Sequence, residues 1–211
     1  MTKPEEVHWV LALLVITVAM GMLDAISLIH LGTFTGYMTG TVILIGIGLI
    51  QGSRITMASV VALSCYMVGA LLGGRLVRRP HPLMKIVSDV LLGVAALVAS
   101  TVVLRIEVGV LPVVSILGLA MGLQTSATRH AGVADMSMPA ATMVLHGLAH
   151  DSWLAGGGGE RAWRRLGTLM ALISGAMLGA IIAAWNVPGA LATVAALLLT
   201  AALILRRGPT L

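Results

Sequence analysis

One acidic residue inside a long apolar segment has the clearest chemical potential in this sequence. Asp24 lies within Met20–Ile26, with no lysine or arginine near it in the chain. An Asp at the centre of a membrane helix costs about 2.5–3.5 kcal/mol, and such residues usually face a protein interior or a water-filled cavity. Asp24 is therefore predicted either to bind a proton or a cation, or to cap and anchor a broken helix.

Polar residues in two other segments are candidates to share a site with Asp24. Thr39 and Thr41 precede an apolar run in a glycine-containing stretch, where they can cap a short helix whose free N–H groups attract a polar group. Gln124 and Thr125 lie in a later apolar segment, with Gln124 as the expected counterpart of Asp24 to within one residue, depending on where the gap between the repeats falls. These five residues form the predicted ligand or ion pathway. Ordinary helix caps and interhelical hydrogen bonds are the alternative.

The histidines suggest weaker possibilities. His30 and His130 are expected near opposite ends of the membrane as interfacial or gating groups, and imidazole would give them pH sensitivity. His146 and His150 have a spacing that can bind one metal ion, but the tract lacks the glutamate of a metalloprotease motif. We expect no metal, no cofactor and no enzymatic activity, because no nucleophile is paired with a base and no acidic pair has catalytic spacing.

Composition defines the class of protein that must position these residues. The 211 residues are 58% hydrophobic and 10% charged, whereas soluble domains carry about 25% charged residues. This predicts an all-α polytopic membrane protein whose main partner is the lipid bilayer. The net charge of +5 lies in short clusters between apolar runs, which is typical of membrane orientation rather than nucleic-acid binding. The single cysteine, Cys65, excludes an internal disulfide.

Six apolar segments have the length of about 20 residues that a membrane helix needs. They are residues 7–31, 56–76, 84–104, 108–130, 164–184 and 188–206. Two shorter segments, residues 35–50 and 137–150, are predicted to be half-spans or re-entrant helices.

Basic residues then favour one topology. If both short segments turn back and the N-terminus is cytoplasmic, every Lys and Arg except Arg54 and Arg105 lies on the cytoplasmic side. Both termini are thus predicted to be cytoplasmic, in a bacterial inner membrane. A seven-span variant, with residues 35–50 crossing and the N-terminus outside, moves only Lys3 and stays open.

The chain repeats itself. Ala19-Met20-Gly21-Met22 recurs as Ala120-Met121-Gly122-Leu123, and Gly69-x-x-x-Gly73 recurs as Gly175-x-x-x-Gly179. We interpret residues 1–211 as one transmembrane domain with copies at about 7–104 and 108–206. Three crossings per copy place the second copy in the opposite orientation, as in many transporters and channels. The glycines are expected to pack helices closely and to offer faces for a homo-oligomer.

Several motifs together resemble a known family. Gly21-x-x-Asp24-Ala25, Leu31-Gly32-x-Phe34, Met38-Thr39-Gly40-Thr41 and Gly122-Leu123-Gln124 are similar to motifs of the YoaK-like family of small bacterial inner-membrane proteins, described as a domain of unknown function. The resemblance covers essentially the whole chain and implies about six spans, without a substrate. This chain has Thr41 where the family commonly has Asn, and Ala141-Thr142 where the second copy commonly has Thr-Gly.

Two functions of different classes follow from these features. The first is a secondary transporter or channel for a small polar or ionic solute, with proton coupling through Asp24 as one form. The second is a non-transporting scaffold or sensor that acts through partner helices on its glycine faces. A membrane enzyme acting on lipid would need a reactive pair that the sequence does not contain.

Overall fold

The computed structural model describes residues 3–51, 54–104, 109–132, 141–159 and 161–208. This part of the chain is helical and contains no strand. Its α-helices are α1 (Lys3–Ile26), α2 (Met38–Gln51), α3 (Arg54–Val77), α4 (Leu83–Leu104), α5 (Val110–Ala131), α6 (Ala141–His150), α7 (Ala162–Trp185) and α8 (Val187–Arg207). A π-helical turn, Ser27–Leu31, extends α1, and a 3-10 turn, Trp153–Ala155, follows α6.

Six of these helices are long and apolar enough to cross a membrane. Their spanning parts are Val7–Leu31, Thr56–Val77, Leu83–Leu104, Val110–Ala131, Ala162–Trp185 and Val187–Arg207. These bounds lie within a few residues of the segments predicted from the sequence. Large apolar side chains of α3 and α7, including Leu71 and Met177, are more than half exposed, as expected of surfaces that face lipid. The prediction of an all-α polytopic membrane protein is confirmed.

The apolar core joins four of the long helices. Leu13 of α1, Leu91 of α4, Leu117 of α5 and Leu198 of α8 are almost completely buried. Helix α3 packs beside α5 and helix α7 packs beside α1, while α2 packs on α3 and α6 packs on α7. The two short helices are therefore positioned by the two helices that flank the core.

Close glycine contacts show that α1 and α7 run in the same direction. Gly175 of α7 lies against the Val18 backbone, and Gly179, one turn later, lies against the Met22 backbone. A Cβ atom at either glycine would collide with main-chain atoms of α1. Because no side chain separates the two backbones, the helices approach more closely than larger residues permit.

The same arrangement joins α3 and α5. Gly69 lies against the Leu119 backbone, and Gly73 lies next to the Leu123 carbonyl oxygen. These two helices therefore also run in the same direction. Both Gly-x-x-x-Gly faces are covered within the chain, so a homo-oligomer would need another surface.

Helices α4 and α8 run in opposite directions. The Ser88 hydroxyl donates a hydrogen bond to the Ala202 carbonyl oxygen over 2.8 Å, and Met84, one turn earlier, lies against Gly208. A short turn joins α3 to α4, and Asn186 alone joins α7 to α8, so each of these pairs reverses direction. It follows that α1, α4 and α7 point one way across the bundle and α3, α5 and α8 point the other way.

The short helices return to the side from which they start. Helix α2 has 14 residues and α6 has 10 residues, or about 21 and 15 Å at about 1.5 Å per residue, against a hydrocarbon core of about 30 Å. The long helices on either side of each short helix point in opposite directions, so neither short segment completes a crossing. The predicted start of the second short segment, residues 137–140, lies outside the described residues.

These directions gather basic residues at one end of the bundle. The ends of α3, α5 and α8 meet the starts of α1, α4 and α7 there, so by chain position every Lys and Arg except Arg54 and Arg105 belongs to this end. Arg54 begins α3 at the opposite end, and Arg105 lies outside the described residues. The end of the bundle where α3, α5 and α8 finish and α1, α4 and α7 begin is called the basic end below.

Candidate functional site

Asp24 holds a loop that re-enters the bundle after α1. Gly32 ends the π-helical turn in the left-handed conformation, with φ of 73°, and the chain then turns back alongside α1. The Asp24 Oδ1 atom accepts hydrogen bonds from the Gly36 N–H at 2.8 Å and from the Tyr37 N–H at 3.2 Å. Since α2 starts at Met38, the carboxylate lies at the positively polarised start of a helix. This is the contact that the capping interpretation of Asp24 predicts.

Buried hydroxyl groups fix the same loop, residues 32–37. The Ser27 and Thr35 hydroxyls are hydrogen-bonded at 3.0 Å, and the Thr33 hydroxyl is bonded to the Ser59 hydroxyl of α3 at 2.9 Å. All four side chains are fully buried. The loop is thus attached to the helix that precedes it and to the helix that follows α2.

A cavity of about 420 Å³ lies beside the Asp24 carboxylate. Asp24 and Tyr37 line one side, and Leu172 and Ala176 of α7 line the other. Ala141, the first residue of α6, also lines it. The starts of both short helices therefore meet at one cavity, although they belong to different halves of the chain. Asp24 itself lies about 10 Å from the Leu31 end of its span, at about 1.5 Å per residue.

The other four predicted pathway residues do not line this cavity. Thr41 is fully buried, and its hydroxyl donates to the Phe34 carbonyl oxygen at 2.8 Å. It therefore attaches the first turn of α2 to the loop of residues 32–37. Thr39 is exposed on α2. Gln124 is completely buried, and neither polar atom of its amide has a hydrogen-bond partner within the described chain. Thr125 is half-buried.

Helix contacts indicate which residue of α5 occupies the place that Asp24 occupies in α1. Gly175 lies on Val18 and Gly69 lies on Leu119, so Val18 and Leu119 occupy equivalent places. The same register equates Asp24 with Thr125, one residue beyond the predicted Gln124. The sequence repeat left this counterpart open by one residue, because its motifs are offset by 101 residues at Gly21 and by 100 residues at Gly32.

The length difference has a structural cause. Gly32 and Gly132 both end their helices in the left-handed conformation, with φ of 73° and 66°, yet the first copy has one more residue between Val18 and its glycine than the second has after Leu119. The π-helical turn Ser27–Leu31 takes up this extra residue, since a π turn contains one residue more than an α turn. His30 and His130 each stand two residues before these glycines.

Several residues at the cavity were not singled out from the sequence. Gly36 and Tyr37 contribute main-chain N–H groups, which residue type does not reveal. Leu172 and Ala176 are ordinary apolar residues, and only the packing of α7 on α1 brings them to Asp24. The repeated Ala-Met-Gly and Gly-x-x-x-Gly motifs were the available signal, because they mark the faces on which these helices meet.

The match to a protein family covers nearly all of this architecture. A family model described as "Protein of unknown function (DUF1275)" matches residues 12–204. The chain belongs to this family. The comparisons of this chain with curated proteins and with solved structures found no match. The matched residues include Asp24 and both short helices, while the narrower YoaK-like resemblance remains a prediction.

In this DUF1275 chain, the second short helix is held differently from the first. The buried Arg165 of α7 donates to the Gly147 carbonyl oxygen at 2.6 Å and pairs with the Asp151 carboxylate at 2.7 Å. The hydrogen bond from Arg165 lowers the pKa of Asp151 from its ordinary value of 3.8. A cation at the end of α6 also matches the negative end of the helix dipole.

The roles suggested for the histidines remain predictions. His30 is half-buried and His130 is exposed. The exposed rings of His146 and His150 are stacked, with centroids 5.3 Å apart. Neither pair lies in the Asp24 cavity.

Proposed function

We propose that this protein is a secondary transporter or channel for a small polar or ionic solute, and that the solute or a coupled proton binds at Asp24. The observation that carries the proposal is the Asp24 carboxylate in a cavity where two interrupted helices begin. Irregular backbone at membrane depth occurs where it is buried in protein or lines a water-filled cavity. The loop before α2 is such backbone.

The cavity has the size and chemistry of a small-solute site. Its volume of about 420 Å³ falls within the range of about 300–1,000 Å³ typical of ligand pockets, which are mostly apolar with a few convergent polar groups. Here the lining is mostly apolar, and Asp24 is the acidic member. Within the described residues, no Lys, Arg or His lines the cavity, which favours a cation, a proton or a solute with a positively charged group.

Asp24 also gives a route from binding to movement. Its Oδ1 atom holds the N–H groups of Gly36 and Tyr37, and a charged acceptor forms stronger hydrogen bonds than a neutral one. A proton or a cation on the carboxylate therefore weakens its hold on the loop. Because that loop leads directly into α2, occupancy of the cavity is coupled to the position of the first short helix.

We infer that the chain consists of two inverted copies. Helices α1 and α5 occupy equivalent places and point in opposite directions, and the α1–α7 contact is matched residue for residue by the α5–α3 contact. Inverted repeats with discontinuous helices at their interface are a common plan for secondary transporters. The match between contacts extends the sequence repeat to the packing of the helices.

The orientation of the protein follows from its basic end. Lys and Arg are enriched on the cytoplasmic side of membrane proteins, so we place the basic end, with both termini, in the cytoplasm of a bacterium with the chain in its inner membrane. The Asp24 cavity then lies in the outer half of the bilayer.

The scaffold alternative has less support. Its partner helices were expected on the Gly-x-x-x-Gly faces, and Gly69, Gly73, Gly175 and Gly179 all contact helices of the same chain. We propose no catalytic role.

Reconstitution in vesicles tests the transport proposal. Vesicles loaded with a pH-sensitive dye would report proton movement while alkali cations and small amines and amino acids are added outside one at a time. We expect at least one solute to move protons with the native protein. Asp24→Asn should reduce this flux at least tenfold while leaving the melting temperature nearly unchanged, because Asn keeps an oxygen that accepts the Gly36 and Tyr37 bonds.

A matched control separates this effect from general loss of charge. Asp89→Asn removes an exposed carboxylate that pairs with Arg206 at the basic end, and it should leave the flux intact. Equal flux in the native protein and in Asp24→Asn contradicts a role for Asp24. No proton flux with any solute, together with a normal melting temperature, contradicts proton-coupled transport of these solute classes.

A further inference from the structure

A second cavity, of about 540 Å³, lies between the last turns of α3 and α5 at the basic end. Ala70 and Gly74 of α3 line it together with Ser126 of α5. The Ser126 hydroxyl donates to the Ala70 carbonyl oxygen at 2.9 Å, which fixes one wall. Unlike the Asp24 cavity, this one is lined mainly by polar surface.

Its place in the fold matches that of the Asp24 cavity. The register of the glycine contacts equates Ser126 with Ala25 and Ala70 with Ala176, and both of these residues line the Asp24 cavity. The two cavities thus occupy equivalent positions in the two halves. They lie on opposite halves of the membrane, because α1 and α5 point in opposite directions.

The charge of the second cavity is opposite to that of the first. Arg78, Arg129 and His130 line it, and no Asp or Glu does so among the described residues. Within that part of the chain, neither arginine forms an ion pair. Arg165 and Arg206, at the same end of the bundle, each pair with a carboxylate of this chain.

The helix ends alone do not account for this arrangement. Basic residues in the last turn of a helix compensate its dipole, and Arg129 and His130 occupy that turn of α5. Arg75 is similarly placed in the last turn of α3, outside the cavity. Dipole compensation therefore explains basic residues at these ends, but not the convergence of two guanidinium groups on one cavity.

We propose that the Arg78–Arg129 cavity binds an anionic group of the phosphate class, carried by a free ion or by the headgroup of an anionic lipid. Guanidinium groups bind phosphate oxygens through two parallel N–H bonds, and two of them face the same space here. The adjacent His130 adds a further donor when its ring carries a proton on the facing nitrogen. This site is independent of the transport proposed for Asp24.

Binding to two probes tests the proposal and separates the two sources. The first probe is inorganic phosphate, titrated into the lipid-free protein in a nonionic detergent. The second is phosphatidylglycerol, added to nanodiscs of phosphatidylcholine that hold the protein. Binding of phosphate identifies a site for free anions, and binding of phosphatidylglycerol alone identifies a headgroup site. Either result supports the proposal, and binding of neither probe overturns it.

Paired variants decide whether the cavity is responsible. R78Q with R129Q removes the two cavity arginines, both of which are exposed, and should weaken binding at least tenfold, since each charge-assisted bond is strong enough to give such a factor. R75Q with R79Q removes the same charge from exposed positions at the same end, outside the cavity, and should leave binding within about twofold. Equal weakening by both pairs would show general attraction to the basic end and would overturn the site.

Discussion

The cavities beside Asp24 and beside Arg129 lie at equivalent places and carry opposite charges. Their walls use the same helix contacts, with Gly175 on Val18 in one half and Gly69 on Leu119 in the other. The polar residues of the two cavities differ, since the position equivalent to Asp24 is occupied by the uncharged Thr125. The contrast indicates that close backbone packing constrains the α1–α7 and α3–α5 pairs alike, whereas polar groups on the cavity side can differ without disturbing the helices.

The largest loss of stability is expected at the glycine contacts, which are the same in the two halves of the chain. Gly69→Leu and Gly175→Leu each place a side chain against the backbone of a neighbouring helix, and such overpacking costs about 3 kcal/mol. Because the contacts are equivalent, the two variants should lose similar stability. The free energy of unfolding in detergent micelles measures both losses.

An open helical glycine is the control for this comparison. A Cβ atom at Gly93 of α4 meets nothing within 4 Å, so Gly93→Leu should change the free energy of unfolding by less than about 1 kcal/mol. A large loss in only one of the two packed variants would break the equivalence of the halves.

The next largest change in stability is expected at Asp24, where the two halves of the chain differ. Asp24→Ala and Asp24→Asn both remove the charge, but Asn keeps an acceptor for the Gly36 and Tyr37 N–H groups. The alanine variant should therefore be less stable than the asparagine variant by about 1–3 kcal/mol, the cost of leaving buried donors without a partner. Chemical unfolding of both proteins measures the gap.

Thr125 provides the matched comparison in the other half. Thr125→Ala and Thr125→Asn should differ by less than about 1 kcal/mol, because in the described structure no loop N–H is bonded to the Thr125 side chain. A gap as large as that at Asp24 would mean that the second copy uses Thr125 in the same way.

The sequence was sufficient to predict the six membrane spans and one residue of the candidate site, Asp24. Apolar length predicted all six spans within a few residues, since a membrane helix has one simple requirement. The cost of burying a carboxylate pointed to Asp24. By contrast, Thr39 is exposed on α2 while its neighbour Thr41 faces inward to Phe34, and short Gly- and Thr-containing helices do not show from periodicity which face is buried.

The cavity partners of Asp24 depend on features that residue type does not carry. Tyr37 contributes its main-chain N–H, and Ala176 contributes only its position on α7. The equivalence of Asp24 with Thr125 required the π-helical turn to be seen, because one extra residue can be placed at several points in a sequence alignment but at only one point in the packed helices.

A smaller loss of stability is expected when the residues that hold the two short segments are replaced. Ser59 and Arg165 occupy equivalent positions on α3 and α7, and each holds the short segment of its own half, through Thr33 and Gly147 respectively. Ser59→Ala should cost about 1 kcal/mol, and Arg165→Met about 2 kcal/mol because its hydrogen bond is charge-assisted. Thermal unfolding in micelles measures both, and a larger loss at Ser59 would contradict the ranking.

The smallest effect concerns the acid that accompanies the Arg165 anchor. The hydrogen bond from Arg165 holds the pKa of Asp151 below 3.8 in the folded protein, so ionised Asp151 contributes stability above the unfolded pKa of about 3.9, and this contribution is lost as pH falls through the folded pKa. Asp151→Asn should therefore lower the melting temperature slightly at pH 7 and not at all at the acid end of a pH series. In an Arg165→Met background the effect at pH 7 should be smaller, because the hydrogen bond from Arg165, the largest cause of the lowered pKa, is gone and only the weaker electrostatic effects of His150 and His146 still lower it. A difference between native protein and Asp151→Asn that grows towards acid pH would show that the Arg165 bond does not stabilise the ionised form.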